Sequence, residues 1–249
     1  MLGRDHALLG AVACLGLAPV VGHLAHVPLS PPEIGVGTVV TSAFALLPDI
    51  DEPHSTVSTK LGPLSEVVSK VTNKLSGGHR HATHSLLFAA LIGVATWYGL
   101  DWRWTAPIIL AFSALLVLRI LLPLGIGRRG LIPLVLAAAV TWWTIIHTGS
   151  ARDWLPYAAF GGVVLHLIGD ALTVEGVPFL WPLPFRTAVP LVGHTESMRE
   201  SILGAAMSLG VLALCWIVVL HPMFDGSYPV SLHFPSVAEV TRHLPTFAR

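Results

Sequence analysis

The chain has 249 residues, 53% of them apolar and only 11% charged, with 14 basic and 14 acidic side chains that cancel. An average soluble protein carries roughly 25% charged residues, so this composition argues against an ordinary water-soluble enzyme and against disorder. With no basic excess to displace counterions, it also argues against a nucleic-acid partner. Cys14 and Cys215 sit in separate apolar runs, which leaves neither a disulfide framework nor a thiolate metal site. The remaining class is an integral membrane protein, all-α, folded as a polytopic helical bundle whose partner is the lipid bilayer.

Apolar runs of membrane-spanning length occur at 7–27, 34–48, 84–100, 105–124, 131–147, 155–172 and 201–220, which predicts about seven transmembrane helices. The run at 34–48 is short, and Pro31 and Pro32 crowd its start, so it is expected to span only if neighbours shield it. Arg119 inside the fourth run is placed to snorkel to the interface. The first run is longer than a signal peptide, lacks a small-residue cleavage site and precedes further spans, so it is read as a helix of the bundle. Seven spans put Arg4, Lys60, Lys70, Lys74, Arg80, Arg119, Arg128, Arg129, Arg186 and Arg199 on one side, and Arg103, Arg152, Arg242 and Arg249 on the other. The positive-inside rule then predicts a cytoplasmic N-terminus in a multi-pass protein of the inner (plasma) membrane. Trp97, Trp102 and Trp104 collect at the opposite face as interfacial anchors. Residues 1–220 thus form a single transmembrane domain, and 221–249 a short extracytoplasmic tail.

Between the second and third runs, Leu61, Leu64, Val67, Val68, Val71 and Leu75 recur at near-helical spacing with Lys70 and Lys74 elsewhere on the wheel. This pattern predicts an amphipathic helix over 61–75, either lying on the cytoplasmic interface or packed on the other spans. Further on, Gly-Val-Pro-Phe-Leu-Trp-Pro-Leu-Pro (176–184) cannot be regular helix. It is expected to form a rigid apolar loop, either a connector or a wall of a substrate cavity with Trp181 at headgroup depth.

Ionisable groups in or beside membrane spans are costly and face a cavity or one another. Here they gather on the cytoplasmic face: His6 at the start of the first run, Asp49 and Asp51 at the end of the second, His79 and His84 at the start of the third, His166 and Asp170 near the end of the sixth, and Glu196 and Glu200 before the seventh. His166 and Asp170, at i and i+4, stack on one helix face, so both can reach one divalent ion. Each pair alone also fits a buried hydrogen-bonded pair or a turn. Together they make a hard nitrogen- and oxygen-donor set suited to zinc or manganese, with enough donors for one or two ions. Arg80 and Arg199 on the same face are either phosphate clamps or topology charges. Glu200 is either a general base, a further ligand or a helix-start carboxylate.

The combination of His6-x-x-x-Gly10, Leu47-Pro-Asp-Ile-Asp51 with Ser55, His79-Arg-x-x-Thr-His-Ser85 and the run from His166 to Pro182 resembles the YdjM-type family of inner-membrane proteins, grouped as metal-dependent hydrolases and including a LexA-regulated member. The segment Thr195–Glu200 is similar to that family's final motif, with Glu196 where glycine is usual. The resemblance implies metal ligands at His6, Asp49, Asp51, His84, His166 and Asp170, with His79 next. It also implies hydrolysis of a phosphoester, a lipid headgroup included, by metal-activated water. The competing expectation is an ion- or proton-coupled transporter, with His23, His26 and His147 marking the far end of a path, or a non-catalytic protein with a structural metal.

Overall fold

A computed structural model describes residues 1–122, 130–225 and 227. Arg128, Arg129, Arg242, Arg249, the end of the 105–124 run and most of the expected tail lie outside the described residues. The chain forms helices α1 (Gly3–Leu24), α2 (Pro31–Phe44), α3 (Thr56–Lys60), α4 (Pro63–Ser76), α5 (Leu86–Gly99), α6 (Thr105–Leu121), α7 (Leu131–His147), α8 (Leu155–Ala171) and α9 (Met198–Leu214). Helix α9 runs on through a π-helical segment (Cys215–Leu220) to Phe224. No strand forms among the described residues, only isolated bridges at Thr173–Gly193 and Val177–Thr187.

All seven apolar runs are helical, but length separates them. Gly3–Leu24, Pro31–Asp51 and Met198–Phe224 are long and apolar enough to cross a membrane, and α7 with 151–171 qualifies only as a pair bent by 96°. Helix α5 has 14 residues and α6 has 17. At 1.5 Å per residue they rise about 21 and 26 Å, short of a hydrocarbon core near 30 Å. Helix length alone therefore supports three or four of the seven expected spans. The third run loses length because the Ser85 side chain accepts from Phe88 N and starts the helix at Leu86, leaving Ala82–His84 as a 3₁₀ turn.

Helix α2, expected to be the marginal one, is the centre of the bundle. Pro31 and Pro32 occupy its first positions, where a missing N–H costs nothing, and Ser30 and Glu33 close a capping box around them. Its Val36, Val40 and Phe44 pack with Ala89 of α5, Leu110 of α6, and Trp154, Leu155, Ala159 and Val163 at and within α8. Glycines bring the neighbours close. A Cβ on Gly162 of α8 would lie 2.5 Å from the Thr41 carbonyl oxygen, and one on Gly10 of α1 would lie 3.0 Å from the same atom. Small residues at such crossings are how helices associate where no water drives them together.

Helix α4 packs through a polar face and leaves its aliphatic face exposed. Its buried residues are Ser65, Ser69 and Ser76, while Leu64, Val67, Val71 and Leu75 are exposed, Leu75 to 81%. At 100° per residue the helix carries three faces: serines inward, aliphatic residues outward on one flank, and Glu66, Lys70 and Lys74 exposed on the other. Its apolar face is turned away from the other helices, which is the arrangement of a helix lying in a lipid interface.

Candidate metal centre

Five elements converge at one end of the bundle: the start of α1, the Pro48–Asp51 turn that ends α2, the Ala82–His84 turn before α5, the end of α8 and the start of α9. Two donor groups meet there, Asp49, Asp51, His79 and His84 in one and His6, His166 and Asp170 in the other. Within each group the ligand atoms lie within 4.8 Å of one another. The groups touch, with His84 Nε2 3.1 Å from His166 Nε2. Asp49 Oδ1 lies 3.5 Å from His84 Nε2 and 3.6 Å from His166 Nε2, and Asp170 Oδ2 lies 3.7 Å from each of them. A tetrahedral zinc with bonds of 2.0–2.2 Å spaces its ligands about 3.3–3.6 Å apart, so the residues present fit a divalent ion.

The remaining bonds aim these atoms. His166 Nδ1 donates to the Ala45 carbonyl, 2.7 Å away, which leaves the lone pair of its neutral ring on Nε2, pointing into the cluster. His84 Nδ1 faces Asp51 Oδ2 at 3.3 Å while its Nε2 faces Asp49. Asp51, wholly buried, also meets His79 Nδ1 at 2.8 Å and accepts from the Thr83 hydroxyl. One of its oxygens therefore orients His84 while the other faces His79. His6 stacks on His166 with ring centroids 3.9 Å apart. Its Nε2 is 3.1 Å from Asp170 Oδ1, yet neither ring nitrogen, though buried, makes a hydrogen bond. Such an orphaned pair of buried nitrogens is rare unless another ligand completes it. Gly169 makes room for this ring, since a Cβ there would lie 3.0 Å from His6 Nδ1.

Asp170 is the hub. Besides the imidazoles it meets Arg80 Nε at 3.0 Å and the Met1 amino group at 2.8 Å. Arg80 is 8% exposed and in the left-handed region at φ 59°, an uncommon conformation for a non-glycine residue, and its other arm meets Glu175 at 2.9 Å. Asp49 is 16% exposed and His79 33%, so the centre opens to its surroundings on their side.

The other expected residues stand elsewhere. Glu200 is buried, but its two oxygens accept from the backbone N–H of Leu2 at 2.6 Å and of Glu196 at 2.5 Å. It anchors the start of α1, and through it His6, rather than facing the donors. Arg199 is exposed and forms no ion pair among the described residues. His81 is exposed and hydrogen-bonded to the His79 carbonyl. At the far end His23 and His26 are exposed, and His147 stacks on Trp143 and bonds its carbonyl. Sequence reasoning missed Thr83, Glu175 and the Asn73 amide, which donates to the Asp51 carbonyl at 2.7 Å. Thr83 stood in plain view in the His-Arg-His-Ala-Thr-His run, whereas Asn73 and Glu175 carry no pattern that singles them out.

The family model of the YdjM inner membrane proteins matches residues 1–126 and 130–228, a stretch that holds every donor named above. The chain belongs to the YdjM family. A relative described as uncharacterized protein YvsG, from Bacillus subtilis (strain 168), is 25% identical over 227 residues, which is 91% of this chain and 98% of the relative. No solved structure matches the chain. The YdjM assignment makes this a protein of an inner-membrane family, and its apolar helices agree with that setting. Its buried His and Asp groups can hold a metal ion.

Proposed function

We propose that this YdjM-family chain is a multi-pass metal-dependent hydrolase of the inner membrane that cleaves a phosphoester, a lipid headgroup included, at the cytoplasmic interface. The observation that carries the reading is the meeting of His84, His166, Asp49 and Asp170 around one point, with a second donor group beside it. His6, Asp49, Asp51, His79, His84, His166 and Asp170 would hold one or two ions, zinc first by donor chemistry and manganese second. A bound divalent ion supplies Lewis acidity and a water of lowered pKa.

The protein's own groups do the rest. Arg80, already charge-balanced by Asp170 and Glu175, offers guanidinium donors to a phosphate oxygen and can exchange the exposed Glu175 for it. Asp49, the most accessible carboxylate of the centre, is placed to take the proton released as water adds to phosphorus. The ester P–O bond then breaks, and the leaving alkoxide takes the proton held by Asp49 and departs as an alcohol. Glu200 is a positioning residue in this scheme, and Arg199 has no part in it.

Detergent-purified protein is expected to release p-nitrophenol from bis-p-nitrophenyl phosphate, to stop when chelated and to recover with added zinc or manganese. If that diester, p-nitrophenyl phosphate and phosphatidylglycerol vesicles all stay uncleaved by metal-loaded protein, the hydrolase reading fails.

A further inference from the structure

Beside the metal centre lies a cavity of about 240 Å³ between α4, α5 and the apolar loop after α8. Leu75 comes from α4, Leu87, Phe88 and Leu91 from α5, and Trp181 from the loop, and Thr83 forms the inner end. We infer that this groove holds an acyl chain of a membrane phospholipid whose phosphate-bearing head reaches the metal centre. For the head the inference rests on the hydrolase reading, but for the chain it stands alone.

Three features point to a lipid chain. The groove runs between two environments. Its inner end is Thr83, whose hydroxyl bonds Asp51 and lies 3.1 Å from His84 Nδ1, so an occupant ends one side chain away from the donors. Its outer rim is Leu75, Leu87 and Leu91, exposed to 81%, 48% and 57%. On α4 the rim residue belongs to the aliphatic flank, so the mouth faces the medium that covers that flank. In a chain of an inner-membrane family, that medium is lipid.

The opposite lip repeats the pattern. The loop that supplies Trp181 also leaves Leu180, Leu183 and Phe185 exposed to 57%, 51% and 67%. Two apolar lips on either side of a slot would be costly beside water and are stable when both dip below the headgroups. Lys70 and Lys74, exposed on the α4 flank next to the aliphatic one, match an anionic headgroup layer, which attracts basic residues. The walls are aliphatic and aromatic apart from the hydroxyls of Thr72, Ser76 and Thr83, which suits methylenes.

The test uses the full-length protein in nanodiscs of phosphatidylethanolamine and phosphatidylglycerol containing a trace of phosphatidylglycerol with a diazirine in one acyl chain. Irradiation and peptide mapping are expected to label the groove walls more than the exposed face of α7 around Val135, which serves as the bulk-lipid reference. Leu91→Trp and Thr72→Trp fill the slot from opposite walls at positions outside the bundle's main core. Each is expected to lower groove labelling about tenfold relative to α7, the factor for turning some two methylenes out of an apolar slot. Labelling of the groove no greater than that of α7, or equal in parent and both variants, overturns the inference. Blocked labelling in a protein without chelator-sensitive hydrolysis leaves the groove standing and removes the hydrolase. Hydrolysis without groove labelling does the reverse.

Discussion

Asp170→Asn is expected to yield a folded membrane protein that no longer retains its metal. Asn keeps the shape of Asp but offers a neutral amide where His84, His166 and His6 approach a carboxylate within 3.1–3.7 Å. A lost outer hydrogen-bond partner costs roughly 10–100-fold in metal affinity, and a lost ligand costs more than that. The same carboxylate also balances Arg80 and the Met1 amino group, both almost wholly buried. Removing one partner of a buried ion pair costs about 3–5 kcal/mol, so the variant should also melt earlier. Metal titration of folded protein separates the two losses, because affinity is read only on molecules that remain folded. A folded variant that binds zinc as tightly as the parent would remove Asp170 from the centre.

The second large effect lies away from the donors. Gly162→Ala puts a Cβ 2.5 Å from the Thr41 carbonyl oxygen and 2.7 Å from Phe44 Cβ, both backbone-level obstacles that no rotamer can relieve. Helices α2 and α8 must separate, and they carry Asp49 on one side and His166 and Asp170 on the other. Overpacking of this kind costs about 1–3 kcal/mol, or roughly 2–12 °C in Tm for a chain of this size. Metal affinity is expected to fall too, although every ligand is intact. The neighbouring Gly161→Ala is the control: a Cβ there meets nothing within 4 Å, so a helix-interior alanine is expected to be neutral or slightly stabilising. If both variants melt alike and bind metal alike, the close α2–α8 crossing does not hold the centre together.

Much of this centre was readable in the chain because membrane helices make ionisable residues conspicuous. Alternating the apolar runs across a membrane put Asp49, His84, His166 and Asp170 on one face, and the Lys and Arg count, which used none of them, read that face as cytoplasmic. The structure brings those same four together. What stayed hidden depends on direction rather than position. Nothing in the order of residues tells that His84 gives one nitrogen to Asp51 and the other to the cluster, or that both oxygens of Glu200 are taken by backbone N–H groups. Arg199, two residues past the Ser197 cap, looks like Arg80 in the sequence, yet only Arg80 turns inward.

The fold was legible in kind and less so in measure. Helix α4 shows the reason: an aliphatic stripe usually marks the face that packs, but here the serines pack and the stripe faces out, so the periodicity was right and its inside was undecided. Helix α2 shows the converse, where two prolines that read as an obstacle form the start of the most enclosed helix. Helix length alone supports three or four of the seven expected spans because α5 and α6 are short and the pair formed by α7 and 151–171 is bent by 96°.

The most direct measurement is elemental mass spectrometry on protein purified in detergent without chelator. One or two equivalents of zinc or manganese per chain is the result expected of two touching donor groups built from His6, Asp49, Asp51, His79, His84, His166 and Asp170. Protein that is folded, purified with metal supplied throughout, and still carries no stoichiometric metal would contradict the account at its centre.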